Sequence, residues 1–417
     1  MSTTSRKSEP QVASVNEVRS HFPALERVHN GYSVAYFDGP GGTQVPRYVV
    51  EKMADYLYHH NANTHWAYPT SAETDAALEH ARDVYAQFLN ASPTEIAFGA
   101  NMTTLTLHLS RSLSLDYKPG DEIVVTELEH HANLDPWRRL AVERGVTIRT
   151  VGINTATGQI NYDELERSIG PKTKLVAIGA ASNALGTIND VKSVIATAHS
   201  AGALVFVDAV HYAPHALIDV KELDCDFMGM SAYKFYGPHI GVLFAKKKLY
   251  EQINFPRLVP AADYAPENAE SGTQNHEGMV GAAAAVEYLA SLSGGVNLRE
   301  NLRNVFHETH ARNLALFTRL WNALSSMPLV RLYGPPPDSA RTPTLAFTID
   351  GYTSTDAAGR LSEKGLFLSH GDFYAYTIVE RLGLQPEGFI RAGCGIYTTE
   401  SEIDRLIDAL RKSASSP

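Results

Sequence analysis

Short strand-like runs alternate with helix-like stretches between about residue 94 and residue 245, and this alternation constrains the fold of the 417-residue chain most strongly. Strands that alternate with helices are typical of a mainly parallel sheet covered by helices on both faces. The sequence therefore predicts an α/β core. The runs that indicate strands are 95–98, 122–125, 174–178, 203–207 and 240–244.

The flanking sequence predicts further elements and a second domain. Leu78, Ala81, Tyr85 and Phe88 recur at helical spacing and predict a helix that ends near Asn90. After about residue 285 the sequence predicts a long helix over 298–324, a Gly-Pro-Pro-Pro turn at 334–337 and an amphipathic helix over 402–410. We expect an N-terminal segment over 1–30 that packs with the small domain, a large domain over 31–284 and a small α+β domain over 285–417; within the first, residues 1–11 are expected to be a frayed tail.

Composition excludes several classes of protein. The 36 basic and 46 acidic residues give a net charge of -10, which disfavours nonspecific binding to nucleic acid or to an anionic membrane. The chain has no apolar run of 18 residues, so we expect no membrane helix. Two cysteines, Cys225 and Cys394, exclude a disulfide framework and a four-cysteine metal site. We expect a cytoplasmic protein without a bound metal.

Two candidate functional segments follow the first two predicted strands. At 98–104 a strand runs into small and hydroxyl residues before an apolar helix, so free N–H groups and a Thr103 hydroxyl would suit a phosphate. Simple capping of the helix by Asn101 or a threonine explains the same residues. At 127–133, His130 could stack on an aromatic cofactor or move a proton. In a chain with 17 histidines, however, an isolated pair such as the one at 130–131 more often lies at the surface.

Two further segments carry an acid and an amine. Asp208 ends an apolar strand, where a carboxylate needs a cationic partner or serves as a helix cap. Lys234 lies among apolar and aromatic neighbours, and burial there would lower its pKa and make the amine nucleophilic. A lysine can also extend its amine harmlessly to solvent.

The four segments together indicate pyridoxal phosphate. Asp208 precedes Lys234 by 26 residues, and a phosphate-type turn and a histidine lie upstream. These residues supply a phosphate cradle, a ring stacker, a partner for the pyridine nitrogen and a Schiff-base amine. No Gly-x-Gly-x-x-Gly fingerprint opens a helix, which disfavours a nicotinamide cofactor.

At this point the chain resembles the cysteine desulfurase-like branch of the pyridoxal-phosphate enzymes of aminotransferase class V. The resemblance extends from about residue 22 to residue 410 and implies fold type I, with a large mainly parallel sheet domain and a smaller α+β domain. The segments that carry it are Glu-His-His-Ala-Asn at 129–133, Ser-Asn-Ala-Leu-Gly-Thr at 182–187, Leu-Asp-Cys-Asp-Phe at 223–227, Lys-Phe-Tyr-Gly-Pro at 234–238 and Ile-Arg-Ala at 390–392.

The resemblance implies roles around the cofactor ring. Lys234 would form the Schiff base, Asp208 would face the pyridine nitrogen, and His130 would stack on the ring. Asn183 and His211 would lie near the phenolic oxygen. His211 stands where the desulfurases usually have glutamine, so its role carries over less directly.

The resemblance also implies a phosphate site, a carboxylate clamp and a homodimer. The phosphate would be held by Met102, Thr103, Ser231, Tyr233, Gly272 and Thr273. Gly272 and Thr273 would come from a neighbouring subunit, which implies a homodimer with shared active sites. Tyr233 replaces the family's usual histidine before the lysine. Arg391 would clamp the α-carboxylate of an amino-acid substrate, a task suited to a guanidinium fork, although a surface ion pair is its plain alternative.

One departure from the family matters most. Persulfide-forming desulfurases carry a mobile cysteine in a Gly-His-His-Cys-Ala segment, whereas this chain has Ser-His-Gly-Asp-Phe-Tyr-Ala at 369–375. None of these side chains can store sulfur as a persulfide. We expect Cys394 to be a buried structural thiol and Cys225 to lie in the core.

We therefore expect a pyridoxal-phosphate lyase that eliminates a side chain from an amino acid, of the C–S lyase type, with Lys234 moving the Cα proton. Asn183, His370, Tyr374 and Arg391 are the expected substrate-binding residues. An epimerase or racemase like isopenicillin N epimerase, with Tyr374 or His370 as second acid, is the alternative, followed by an aminotransferase. A noncatalytic cofactor-binding protein is the rival from another class.

Overall fold

The computed structural model describes residues 12–414, so the predicted tail at 1–11 lies outside the described residues. In chain order its strands are β1 Val28–His29, β2 Tyr32–Ser33, β3 Ala35–Tyr36, β4 Ile96–Gly99, β5 Glu122–Thr126, β6 Thr147–Val151, β7 Ile153–Asn154, β8 Gln159–Ile160, β9 Thr173–Gly179, β10 Leu204–Asp208, β11 Phe227–Ser231, β12 Gly241–Ala245, β13 Val330–Tyr333, β14 Thr344–Ile349, β15 Leu366–Phe367, β16 Ser369–Gly371 and β17 Phe389–Gly393.

The described range also contains the helices that surround these strands. They are α1 Val15–Ser20, α2 Arg47–Asp55, α3 Pro69–Leu89, α4 Met102–Leu113, α5 Asp135–Arg144, α6 Tyr162–Ser168, α7 Val191–Ser200, α8 Val220–Leu223, α9 Lys247–Gln252, α10 His276–Ser291, α11 Leu298–Ser325, α12 Ser354–Ser362, α13 Tyr376–Arg381 and α14 Glu400–Ala414. No helix in the described range is long and apolar enough to cross a membrane.

A seven-stranded sheet in the order β4-β12-β11-β10-β9-β5-β6 forms the large body of the molecule. Strand β12 runs antiparallel to β11 and β4, whereas the β11-β10-β9-β5-β6 pairs are parallel. The carboxyl ends of β9, β10 and β11 therefore meet at one edge, where open α/β sheets bind their ligands. Asp208 and Ser231 are the last residues of β10 and β11.

Side-chain alternation explains why both faces of this sheet are covered. In β4, Ile96 and Phe98 join one hydrophobic cluster, while Ala97 between them joins the other. Strand β9 does the same, with Val176 on one side and Leu175 on the other. Successive side chains point to opposite faces, so a strand that is apolar at every position requires a layer of helices on each side.

The second sheet is antiparallel, has the order β13-β14-β17-β16, and packs against α11, α12 and α14. Cys394 follows β17 and lies in this small core, whereas Cys225 lies in the core of the large sheet. Both thiols are free and buried, as predicted. Burial raises the pKa of each thiol to about 12. Neither thiol carries appreciable thiolate at neutral pH.

The N-terminal residues of the described range contact elements from distant parts of the chain. Arg19 of α1 pairs with Glu402 of α14 at 3.0 Å, and the Ala13 amide donates to the Leu292 carbonyl at 2.8 Å. Strand β3 pairs in parallel with β15 in a separate two-stranded sheet, and β15 directly precedes β16 of the small sheet. The contact with α14 is consistent with the N-terminal segment predicted over 1–30, while the proposed boundaries of the three segments stay predictions.

The predicted α/β class and the two-part architecture agree with the structure. Helix α3 ends where predicted, because Asn90 caps it in the left-handed region at φ 58°. The edge strand β6 was not predicted, and its residues Thr147, Arg149 and Thr150 are exposed, so they lack the apolar run of a buried strand.

The close contact between β12 and the turn before α4 predicts a stability effect. A Cβ on Gly241 would lie 2.4 Å from the Asn101 carbonyl carbon and 2.6 Å from its Cα, so Gly241→Ala must displace backbone. We expect Gly241→Ala to lower the free energy of unfolding by about 1–3 kcal/mol, measured by chemical denaturation. Gly170→Ala is the matched control, because a Cβ there meets no atom within 4 Å. Equal stability of the two variants would contradict the close packing of β12 on Asn101.

Candidate active site

The Lys234 side chain is buried at the end of a short 3-10 turn, Ala232–Lys234, that directly follows β11. Its Nζ donates to the carbonyls of Pro40 at 2.6 Å and Gly41 at 3.0 Å. Burial lowers the pKa of Lys234 to about 7, and the positive charge of Arg391 acts in the same direction, while Asp208 and a second acid, Asp38, oppose it. Above that pH the amine is mostly neutral and nucleophilic.

Asp208 lies at the end of β10, beside the strand that leads to Lys234, and is 7% exposed. Its Oδ1 accepts a hydrogen bond from the Val210 amide at 2.9 Å. Burial raises the pKa of Asp208 to about 6, although the Val210 amide and the charge of Lys234 oppose the shift. Because a pKa of about 6 still lies below neutral pH, the carboxylate stays mostly ionised. Its second oxygen remains available to a cationic ring nitrogen.

His130 is held by the turn that follows β5. The buried carboxylate of Glu129 accepts hydrogen bonds from the Thr126 hydroxyl and the Asn133 side-chain amide, both at 2.7 Å, and so fixes the turn. His130 Nδ1 accepts from the Ala132 amide at 2.9 Å, so the proton of the neutral ring is on Nε2. Burial lowers the pKa of His130 to about 4. The ring is neutral at physiological pH and suited to stacking.

Two of the predicted phosphate residues, Met102 and Ser231, are in contact at the start of α4. Asn101 caps the helix by accepting from the Thr104 amide at 2.9 Å, and Ser231 Oγ accepts from the Met102 amide at 3.0 Å. The Thr103 side chain is exposed at the same helix start. The sequence analysis treated a helix cap and an anion site as alternatives. The two are compatible, because Asn101 caps α4 while the Thr103 side chain faces solvent.

Tyr233 lies beside the lysine it precedes. Its ring stacks on His239 at a centroid distance of 4.8 Å, and Lys234 Nζ lies 4.9 Å from the ring centroid. The Tyr233 carbonyl accepts from the Thr43 amide at 3.0 Å. Aromatic contact on one side and backbone carbonyls on the other explain how the amine is kept from water.

Arg391 is brought to the site by β17 of the small sheet and is 2% exposed. Its Nη1 donates to the Asn183 carbonyl at 2.7 Å, its Nε to Ser369 Oγ at 3.3 Å, and its guanidinium lies 3.8 Å from the centre of the Phe373 ring. Burial lowers the pKa of Arg391 to about 9, which leaves it charged at neutral pH. The plain alternative of a surface ion pair does not apply to this buried side chain.

Asn183 lies next to this arginine, and His211 lies next to β14. Asn183 Nδ2 donates to the Phe373 carbonyl at 2.9 Å. His211 Nε2 lies 3.1 Å from the Thr342 hydroxyl and 3.0 Å from that of Thr344. Burial lowers the pKa of His211 well below its usual range. His211 is therefore a neutral residue that contacts the small sheet.

The segment over 369–375 forms one wall of the site and is fixed by hydrogen bonds. Phe373 and Tyr374 both adopt the left-handed region, with φ of 56° and 57°. The Tyr374 carbonyl accepts from the His131 amide at 2.8 Å, and its ring lies 5.5 Å from that of His130. Tyr374 is 72% exposed, so it borders the opening of the site.

His370, Gly272 and Thr273 are not brought to this site within one chain. In β16 the Ser369 side chain contacts Arg391, so His370, one residue later, faces away, and its Nδ1 lies 3.3 Å from the Thr355 hydroxyl. Gly272 and Thr273 are exposed and line a separate depression with Trp66.

The sequence analysis missed the segment after β3. Asp38 and the carbonyls of Pro40 and Gly41 approach the lysine across about two hundred residues of chain, in a Gly-Pro-Gly-Gly turn at 39–42. The glycines and the proline at 39–42 are typical of a sharp turn and could have indicated this segment. Phe373 was also not assigned a contact with Arg391.

Two observations test whether these residues fit pyridoxal phosphate. The buried Asn183 Oδ1 has no hydrogen-bond partner within residues 12–414, which leaves an acceptor free for a bound group. The donor and acceptor set, with a nucleophilic amine, an ionised buried acid, a neutral imidazole and an open helix start, matches an aromatic aldehyde that carries a phosphate. The residues fit the cofactor.

Comparisons with known proteins identify the family of the chain. A family model described as "Aminotransferase class-V" matches residues 35–406. Cysteine desulfurases of Synechococcus elongatus and Pectobacterium atrosepticum are 34% and 33% identical over 415 residues, or 95% of this chain. The matches cover 63% and 97% of those two proteins, so the chain spans less than two thirds of the Synechococcus relative.

Solved structures of cysteine desulfurases are similar along nearly the whole chain. The apo structure from Thermococcus onnurineus NA1 has a TM-score of 0.88 at 26% identity and covers 98% of this chain and 100% of that one. A structure from Escherichia coli has a TM-score of 0.84 at 29% identity and covers 97% and 99% of the two chains.

The environment of Lys234 predicts unusual amine reactivity. Because burial lowers its pKa to about 7, acylation of Lys234 in the ligand-free protein should rise with pH through about 7 and level off above it. We expect mass spectrometry after brief treatment with acetic anhydride to detect this. The exposed Lys174 on β9 is the internal control, since exposed lysines react mainly in the alkaline range. The same pH profile for both lysines would contradict the buried amine.

Proposed function

The chain belongs to the aminotransferase class V family and is a pyridoxal-phosphate-dependent enzyme of the cysteine desulfurase-like kind, and from this premise we propose that it cleaves the C–S bond of an amino acid by elimination, without a protein-bound persulfide. The observation that carries the proposal is the wall over 369–375. It lies against Arg391 and contains no cysteine, and both cysteines of the chain are buried.

The cofactor would be held by the residues already described. Lys234 would bind it covalently, Met102, Thr103, Ser231 and Tyr233 would surround its phosphate, and Asp208 would face its ring nitrogen. His130, neutral at physiological pH, would lie against the ring. When bound, pyridoxal phosphate supplies an electron sink that makes the Cα proton of an attached amino acid acidic.

The chain's own residues supply binding and proton transfer. Arg391 binds the substrate carboxylate through Nη2, the guanidinium nitrogen that donates to neither Asn183 nor Ser369. Lys234, with its pKa near 7, takes the proton from Cα, because the carbonyls of Pro40 and Gly41 keep the amine within the site. The wall formed by Phe373 and Tyr374 limits the entry of water. Release of the side chain as a thiol leaves an amino acrylate, which hydrolyses to a keto acid and ammonia.

We also propose a homodimer in which the partner subunit's Thr273 completes the phosphate site. The support is that Gly272 and Thr273 line a depression separate from Lys234 in their own chain. The exposed Trp66 and Leu258 line the same depression, and exposed apolar side chains grouped in this way suit contact with a second copy. The amino-acid substrate and the homodimer are the partners of this proposal.

The first test concerns the covalent attachment. We expect borohydride treatment of the holoenzyme to fix the cofactor on the peptide that contains Lys234, because this buried amine is nucleophilic at neutral pH. Lys234→Ala should lose the reducible attachment completely, and the exposed Lys174→Ala should keep it. Mass spectrometry of the reduced peptides measures both. A reducible attachment that persists in Lys234→Ala would assign the role to another lysine.

The second test separates elimination from sulfur storage by product. Incubated with L-cysteine or S-methyl-L-cysteine and no reductant, the enzyme should form pyruvate and ammonia in equal amounts together with the free thiol or sulfide. A persulfide mechanism converts cysteine to alanine instead, since only the sulfur atom leaves. Cys394→Ser should keep full activity because the buried thiol has no part in the reaction.

The peptides of Cys225 and Cys394 provide the control for this test. Neither should gain the mass of a sulfur atom during turnover. Alanine as the product, with a stoichiometric persulfide on Cys394 and loss of activity in Cys394→Ser, would overturn the proposed function.

A further inference from the structure

Asp38 faces the active site because of strand alternation in the segment that begins with β3. The neighbouring Phe37 is fully buried in the core of the small domain. Successive side chains in an extended segment point to opposite sides, so Asp38 points away from that core. The backbone at Asp38 forms a β-bridge with Gly393, the last residue of β17. Asp38 thus lies where the two sheets of the molecule meet.

The turn after Asp38 touches both cations of the site. The Asp38 carbonyl accepts from the Gly41 amide at 2.7 Å and closes the turn, and the carbonyls of Pro40 and Gly41 accept from Lys234. A Cβ added to Gly41 would lie 3.5 Å from Arg391 Nη2, so the turn runs directly against the guanidinium. Asp38 therefore shares one small space with an amine and a guanidinium.

The carboxylate of Asp38 has an unused hydrogen-bonding atom. Its Oδ1 is buried and has no hydrogen-bond partner anywhere in residues 12–414. Burial raises the pKa of Asp38, while the charges of Arg391 and Lys234 favour its ionised form. A buried acceptor without a partner costs free energy. Such an atom in a ligand site is satisfied when the ligand brings a donor.

We propose that Asp38 binds the ammonium group of the amino-acid substrate while Arg391 binds its carboxylate, an inference that rests on the proposed function. The two charged groups of an amino acid are joined through a single carbon, so their protein partners must be neighbours. Asp38 and Arg391 meet that condition through the Gly41 turn. A carboxylic acid without the amine offers no donor to Asp38 Oδ1. The site thus selects amino acids over the corresponding simple acids before any covalent step.

Holoenzyme reduced with borohydride isolates this binding step, because its cofactor is fixed and no longer reacts with amines. We expect isothermal titration calorimetry to detect L-alanine binding to the reduced wild-type enzyme and weaker binding of propanoate, its analogue without the amine. Asp38→Asn should weaken L-alanine binding by about tenfold or more, since a charged hydrogen-bond acceptor is lost. Propanoate binding should stay within about twofold or strengthen, because a negative charge near Arg391 is removed.

Asp163→Asn is the matched control, because it removes the same charge from an exposed position on α6 and should leave both ligands unaffected. Thermal unfolding and the cofactor absorbance of Asp38→Asn check that the variant is folded and loaded. Equal losses for L-alanine and propanoate, or no loss for either, would overturn the role of Asp38 alone. A reduced wild-type enzyme that binds neither L-alanine nor L-cysteine would overturn the proposed amino-acid site, and this inference with it.

Discussion

The removal of one amine from water is the constraint on which the site depends. Lys234 is buried between the Tyr233 ring and the carbonyls of Pro40 and Gly41, and its pKa falls to about 7 for that reason. A buried lysine must either lose its proton or find an acceptor for it. The site supplies the acceptors from a distant part of the chain, and the same segment contacts the small sheet, because Asp38 forms a bridge with Gly393 of β17.

The same meeting of sheets fixes the groups around the amine. Arg341, a buried guanidinium, donates to the Leu185 carbonyl of the large domain and to the Thr344 carbonyl at the start of β14. His211 contacts the hydroxyls of Thr342 and Thr344 from the other side. The loop that carries Asn183 and the strand next to Arg391 are thereby held in one arrangement. The positions of substrate and cofactor groups thus depend on the joint between the domains.

Local sequence predicted those parts of the site that a single strand and turn determine. Asp208 ends an apolar strand and Lys234 follows one. The parallel sheet brings such strand ends together, so the pattern alone predicted that the two residues are close. Asp38 and Phe373 act through contacts between segments far apart in the chain, and no local pattern encodes these. His370 was predicted to bind substrate, but neighbouring residues of a strand face opposite sides. In β16 it is Ser369 that faces Arg391, so His370 faces away from the site. Edge strand β6 escaped prediction because exposed threonine and arginine resemble loop residues.

The left-handed pair Phe373 and Tyr374 has a consequence for how a product would leave. Each such residue costs about 1–2 kcal/mol, and the hydrogen bonds from Asn183 and His131 hold the pair in place. A segment strained and tethered in this way works as a fixed wall and is poorly suited to travel as a carrier arm. In the proposed elimination, the thiol or sulfide released beside this wall therefore leaves the site by diffusion as a free molecule, and no side chain of the segment carries it.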